Sequence, residues 1–146
     1  MVATLKTDRD YNRDYIRVKK YFIAWRTYDV SLLRSIFIPS AKYIIRNKER
    51  ILNGIDEIEQ YWQRNKKRQK NIKLRWNIIK AQRYTDEVEF CASFWDEEKC
   101  QNIKVNGRII FKYNAIDQIV RLSEAYRVKL LLNHTTNQDN KKNKYI

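Results

Sequence analysis

Between Tyr21 and Trp62 the hydrophobic period of the chain changes twice, from helical to alternating and back, with no spare residues between the pieces. A stretch punctuated this tightly permits few folds. From Asp10 to about Tyr28, apolar residues recur at Tyr11, Tyr15, Val18, Tyr21 or Phe22, and Trp25, the spacing of a helix with one buried face. Asp29 can cap a short second helix whose buried side is Leu32, Leu33, Ile36 and Phe37, and Pro39 is expected to end it. Ala41 to Leu52 alternates in pieces, as a strand pair does: Tyr43 and Ile45 point one way, Lys42, Ile44 and Arg46 the other. Asn53-Gly54 closes this segment. Asp56 and Glu57 then fall in the first turn of a third helix, at the end where its dipole favours negative charge, and Ile55, Ile58, Tyr61 and Trp62 form its apolar stripe.

Three long alternating strands follow, with Leu74, Trp76 and Ile78 on the inward face of the first. Val88, Phe90, Ala92 and Phe94 do the same on the second, and Val105, Gly107, Ile109, Phe111 and Tyr113 on the third. A turn at Asn114 to Asp117 leads to a closing strand, Gln118 to Arg127. Helices first and strands afterwards imply an α+β protein, three N-terminal helices packed on one face of a strongly curved mixed β-sheet. The expected organisation is a frayed, disordered N-terminus over residues 1–9, one domain over 10–130, and a polar basic tail over 131–146, rich in Asn and Lys and expected to be disordered.

No apolar run reaches the roughly 18 residues a membrane span needs, and the N-terminus lacks the apolar core of a signal peptide, so a cytoplasmic protein is expected. Cys91 and Cys100 are too few for a disulfide framework. His134 is the sole histidine and falls in the tail, so no zinc-type ligand set is available, and neither metal nor cofactor is expected.

The formal net charge is +14, and from Gln60 to Thr85 there is no acidic residue at all. Arg64, Lys66, Lys67, Arg68 and Lys70 lead that window and are the candidate anion-binding surface. Such a field favours nucleic acid or an acidic protein, and it equally describes a solvated lysine-rich exterior.

Two local patterns carry a family resemblance: Gly54 to Trp62, read as Gly-x-x-x-Ile-x-x-Tyr-Trp, and the closing Ile119-Val-Arg-Leu-Ser-Glu-Ala-Tyr126. With the element order over roughly residues 11–127, they resemble the SnoaL-like, polyketide cyclase-like branch of the nuclear transport factor 2-like superfamily. The resemblance implies a cone-shaped fold enclosing a pocket, and a homodimer through the outer sheet face, where Trp95, Ile79 and Ile110 supply apolar area. Function does not follow from it, because the scaffold hosts isomerases, cyclases, dehydratases, epoxide hydrolases and non-catalytic adaptors.

Laid over ketosteroid isomerase by the Gly54 helix, the resemblance puts that enzyme's first oxyanion-hole tyrosine at Tyr21. Its proton-abstracting aspartate falls at Ile45 and its protonated aspartic acid near Ile109. Isoleucine can be neither base nor donor, so ketosteroid isomerase chemistry is not expected. The Asp-Arg-Asp trio of limonene epoxide hydrolase likewise finds no counterpart on the inward positions. The expected pocket wall is Trp25, Tyr43, Ile45, Trp62, Trp76, Phe90, Ile109, Phe111 and Tyr126, which suits a flat apolar or aromatic ligand, or else a filled core.

Glu124 shares a face with Leu122 and Tyr126 and reads as the one inward acid. It is the candidate catalytic group, with Tyr21 as its partner in weak acid/base chemistry, or a structural carboxylate satisfied by tyrosine hydroxyls. The leading reading is therefore a small-molecule pocket protein. The alternative is a non-catalytic dimeric module that holds an acidic protein or nucleic acid on the basic surface over 64–83. An enclosed cavity of roughly 300 Å³ or more would favour the first, and a packed cone the second.

Overall fold

A computed structural model describes residues 8–131, with side chains from Asn12 onward. The expectations for residues 1–7 and 132–146, His134 included, lie outside the described residues. The element order is α1 (Asp8–Thr27), α2 (Val30–Ile36), β1 (Phe37–Ile45), a 3₁₀ turn (Arg46–Lys48), β2 (Arg50–Asn53), α3 (Ile55–Arg68), β3 (Gln69–Ala81), β4 (Thr85–Asp96), β5 (Gln101–Tyr113) and β6 (Ile119–Leu131). The six strands form one curved, unclosed mixed sheet in the order β2-β1-β6-β5-β4-β3. β1 and β6 run parallel, and the other neighbours are antiparallel. This is the α+β cone expected, with helices α1 and α3 on the inner face. Among the described residues no helix is long and apolar enough to cross a membrane.

Local chemistry explains the boundaries. The Asp29 carboxylate accepts from the Leu32 N–H at 3.0 Å and so starts α2 as its N-cap. The helix stops at Ile36, three residues short of the expected stop at Pro39. Phe37 is already extended, and Pro39 sits inside β1. There the β1–β6 register slips between Phe37 and Lys42, a bulge that accommodates a residue with no N–H to give the ladder. Gly54 precedes α3 with φ +86°, a conformation side chains rarely adopt, while its N–H bonds the Ala41 carbonyl at 2.8 Å. Arg34 on α2 binds Asp56 at 2.7 Å and Glu59 at 2.6 Å, fastening α2 to α3.

The interior is aromatic in its middle. Tyr21 packs edge-on against Phe22, Trp62 and Phe111 with centroids 5.0–5.6 Å apart, a geometry that favours ring pairs beyond their area alone. The α1 stripe differs from its expectation at one end. Tyr15 is 49% exposed and lies against Trp76, whereas Asp14 and Arg17 are buried beneath it. The reason is electrostatic, because Arg17 pairs with Asp14 at 3.0 Å on its own helix and with Asp86 at 2.8 Å on β4.

Arg17, 5% exposed, places Nε 2.8 Å from Asp86 Oδ2 and Nη2 2.9 Å from Asp86 Oδ1. It also reaches Asp14 and Asp117 at 3.0 Å and donates to the carbonyls of Gln82 and Arg83. The Tyr113 hydroxyl donates to Asp86 at 2.9 Å, and its ring lies 3.9 Å under the guanidinium. Burial and the Asp86 charge push the Tyr113 hydroxyl up, so it remains a donor. Glu124 is therefore not the one inward acid. Asp86 and Asp96 occupy the same face of β4 as Val88 and Phe94, at the two ends of the strand.

Candidate functional site

At the end of the cone away from Arg17, the interior opens into a cavity of about 690 Å³. Trp25 from α1, Phe90 and Phe94 from β4, Ile103 and Val105 from β5, and Tyr126 and Val128 from β6 form its apolar wall. Glu124 and Tyr61 contribute its polar floor. Strand alternation places these side chains: successive inward positions of β4, β5 and β6 meet across the curve of the sheet.

Glu124 is 5% exposed, so the closing strand has the expected register. It stands opposite Ile45 on β1 and opposite Ile109 on β5. These are the two positions at which the resemblance would have put the acids of ketosteroid isomerase, and one carboxylate lies in the strand between them. Burial raises the Glu124 carboxyl to about 7, against the opposing influence of a hydrogen bond from Tyr43 and the nearby charges of Arg46 and Lys48.

The Tyr21 and Tyr43 oxygens are 3.2 Å apart. With the Tyr43 hydroxyl donating a hydrogen bond toward ionised Glu124, its oxygen is left to accept from Tyr21, and both phenols keep their protons. Tyr21 and Tyr43 are pushed well up, first by burial and then by the Glu124 charge, as are Tyr61 and Tyr126 to a lesser degree. These four phenols stay protonated and remain hydrogen-bond donors throughout the neutral range, around a carboxyl that can exist in either state.

The structure separates the residues expected to line the pocket into three groups. Trp25, Phe90, Tyr126 and Glu124 line the cavity. Tyr21, Tyr43, Ile45, Trp62, Ile109 and Phe111 are packed beneath it, with a gap of about 30 Å³ among the rings of Tyr21, Tyr43, Tyr61 and Trp62. Trp76 is elsewhere: it stacks on Phe22 with ring planes 6° apart and faces Tyr15.

The basic window is divided in the same way. Arg64, Lys67 and Arg68 stand at the cavity mouth, while Arg75 lines a groove on the outer sheet face beside Arg46, Arg108 and Arg127. Lys66 and Lys70 lie at the exposed end of α3 and the start of β3, where the Lys70 ammonium reaches the Lys66 carbonyl at 3.4 Å. On the outer face, Trp95 pairs with Asn102 and so lies about 26 Å along β5 from Ile110, at roughly 3.3 Å per residue.

Sequence reasoning missed the rest of the mouth, formed by Lys48 and Arg50 at the β1–β2 turn and Lys99 in the β4–β5 turn. Turn residues carry no periodic signal, so nothing in their spacing brings them together. Phe94 and Val105 did fall on inward positions. Their place on a cavity wall rather than in packed core depends on sheet curvature, which alternation does not encode.

An Asp-Arg-Asp trio is present after all, as Asp14, Arg17 and Asp86, with its arginine on a helix. None of the three lines the cavity, and the arginine's donors are taken up by carboxylates and carbonyls, so the trio holds the fold and does not present a water to a ligand. Cys91 and Cys100 are free thiols. Among the described residues no group of three His, Cys, Asp or Glu is placed to hold a metal ion.

No protein-family model matches the sequence, and no curated protein matches it. Solved structures do. The epoxide hydrolase/cyclase-like enzyme SalBIII, which has a role in pyran ring formation in the polyether salinomycin, superposes with a TM-score of 0.70 at 15% identity, over 80% of this chain and 92% of its own. An NTF2-like protein of unknown function from Exiguobacterium sp. 255-15 does so with a TM-score of 0.63 at 18% identity, over 75% and 97%. A SnoaL-like polyketide cyclase from Shewanella denitrificans OS-217 follows at 0.61 and 12%, over 87% and 95%. Likeness at these identities speaks to architecture alone: the chain has the cone-shaped α+β fold that these NTF2-like and SnoaL-like structures share.

Proposed function

We propose that this protein binds a small ligand whose apolar or aromatic body sits against Trp25, Phe90 and Phe94, and that Glu124 is the group there that exchanges a proton with it. The carrying observation is a buried carboxyl on the wall of a cavity of about 690 Å³, raised by burial to about 7. That volume lies within the range of ligand pockets. A carboxyl of this kind can act as base in one step and acid in the next, and tyrosine hydroxyls can steady a developing oxyanion. Chemistry of the isomerase or cyclase kind fits this arrangement. The ketosteroid isomerase reaction does not, because Ile45 and Ile109 supply neither base nor donor.

The test is a screen of small epoxides and cyclisable polyketide intermediates against wild type and Glu124→Gln. Ligand affinity retained with turnover abolished is the expected outcome, since the amide keeps the shape and cannot exchange a proton at neutral pH. Equal turnover by both would remove Glu124 from the chemistry.

The reading as an interaction module keeps one supporting observation, the arginine-lined groove on the outer sheet face. Contact with nucleic acid there would be weak, sequence-independent and steeply dependent on salt. A homodimer would use the same face, where Trp95 and Ile110 are half-buried and Ile79 is 42% exposed.

A further inference from the structure

The mouth of the cavity differs in kind from its wall. Lys48, Arg50, Arg64, Lys67, Arg68 and Lys99 stand around it, from the β1–β2 turn, the last turns of α3 and the β4–β5 turn. The carboxylates among them are Asp96 and Glu98, and Arg68 engages both, at 3.0 and 3.1 Å. The other five cations have no carboxylate within 4.0 Å among the described residues. Six cations against two acids give 6 − 2 = +4. The C-terminus of α3 subtracts only about half a unit from this. Within the mouth the wall turns apolar, and Glu124 is its one ionisable acid.

We infer that the ligand of this pocket is an amphipathic anion, an aromatic or polycyclic body carrying a carboxylate, sulfonate or phosphate that stays at the cationic mouth while the body fills the cone. The inference rests on the pocket reading above and adds the ligand's charge. A low-dielectric cleft rimmed by one sign of charge focuses its field outward, so it draws in anions and orients them head-outward. Arginine forks and lysine ammonium groups both suit an oxyanion. The depth favours a small molecule over a polymer: a nucleic acid backbone could touch the rim but would leave the apolar wall uncovered. An anionic head held at the rim also stays clear of Glu124, which tolerates a neutral part of the ligand beside it far better than a second carboxylate.

Two fluorescent probes separate the ideas, because anilinonaphthalenesulfonate and phenylnaphthylamine share one body and differ by the sulfonate. Both are titrated into wild type, into the triple variant Lys48→Gln/Arg64→Gln/Lys67→Gln, and into Val128→Trp, which puts an indole ring into the cavity where the probe's body would sit. The three replaced cations are exposed and outside the packed core, and circular dichroism checks that each variant is folded.

The expected result is that wild type binds the sulfonate at least about tenfold more tightly than the amine, equivalent to about 1.4 kcal/mol. The triple variant should bring the two affinities together by weakening the sulfonate alone, as should about 0.5 M salt. Val128→Trp should weaken both. Equal affinity of wild type for both probes overturns the anion inference and leaves the pocket reading standing. Sulfonate binding that Val128→Trp does not change overturns it too, placing the anion on the outer basic face. Failure of both probes to bind folded wild type counts against the pocket reading itself, and the inference falls with it.

Discussion

Arg17 and Asp86, 69 residues apart in sequence, meet as a two-pronged ion pair with Nε–Oδ2 at 2.8 Å and Nη2–Oδ1 at 2.9 Å, neither side chain reaching solvent. It joins the first helix to the start of β4 and closes the end of the cone opposite the cavity. Removing Arg17 leaves the buried Asp86 carboxylate with the Tyr113 hydroxyl and, among the described residues, no cation, whereas Arg17 without Asp86 keeps Asp14 and Asp117. Arg17→Met is therefore expected to destabilise by about 3–5 kcal/mol, and Asp86→Ala by less. Adding Arg17→Met to Asp86→Ala should cost clearly less than the two single changes summed. Urea denaturation of the four proteins measures this, and strict additivity would show that the pair is not coupled.

Glu124 makes stability depend on pH in an unusual direction. Its folded pKa of about 7 is above the reference value of 4.5, so between those values the folded state binds more protons than the unfolded. The carboxyl's contribution therefore falls as pH rises from about 4.5 to 7 and is flat above. Glu124→Gln removes this dependence. Relative to wild type the variant should gain roughly 3 kcal/mol between pH 4 and pH 8, an upper figure for a carboxyl whose Tyr43 bond strengthens on ionisation. Denaturant midpoints at the two pH values provide the check. A difference that does not change with pH would mean that the carboxyl is hydrated.

Gly107 sits in register between Phe90 and Tyr126, where a Cβ would lie 2.5 Å from the Ala125 carbonyl oxygen and 2.8 Å from both the Phe90 ring and Tyr126 Cβ. The first contact is with backbone and cannot be relieved by a rotamer. Gly107→Ala should cost about 1–3 kcal/mol through overpacking. Because the two neighbours also line the cavity, it should weaken binding of phenylnaphthylamine as well. A thermal midpoint equal to wild type would contradict the contact distances.

If two copies pair through the outer face, Trp95→Lys should raise the monomer fraction in sedimentation velocity. Arg75, Arg108 and Arg127 intervene between Trp95 and Ile110 and would repel their symmetry mates, so association should also strengthen with salt. Wild type that stays monomeric at high micromolar concentration would remove the dimer.

The elements were legible wherever one periodicity ran unbroken. The α3 stripe, the alternation of β4 and β5, and the inward register of Glu124 all follow from spacing, since a side chain's face is set by its position in the repeat. Asp14, Arg17 and Asp86 were not legible. They occupy core positions of the right period, but a reading that sorts residues by polarity sends charges to the solvent, and only the distant partner reveals why these stay inside. Pro39 misled for a related reason: it marks where a helix cannot continue, and here the helix had already ended. The cavity was half legible. Its aromatic wall shows in the alternation, whereas its mouth assembles from two turns and a helix end whose proximity depends on the closed course of the chain.

None of the mouth's cations stands on β3, β4, β5 or β6, the long strands that shape the interior. The cationic entrance and the strand-borne part of the apolar wall are thus encoded in separate parts of the chain, and α3 contributes to both mouth and floor. On the proposed reading, a substitution at Arg64, Lys67 or Lys99 would alter what is admitted and leave the surroundings of Glu124 in place, while a change at Val105 or Val128 would reshape the chamber under the same gate. A lineage carrying this scaffold could therefore exchange one ligand for another by editing its turns, and the buried carboxyl would persist through the change.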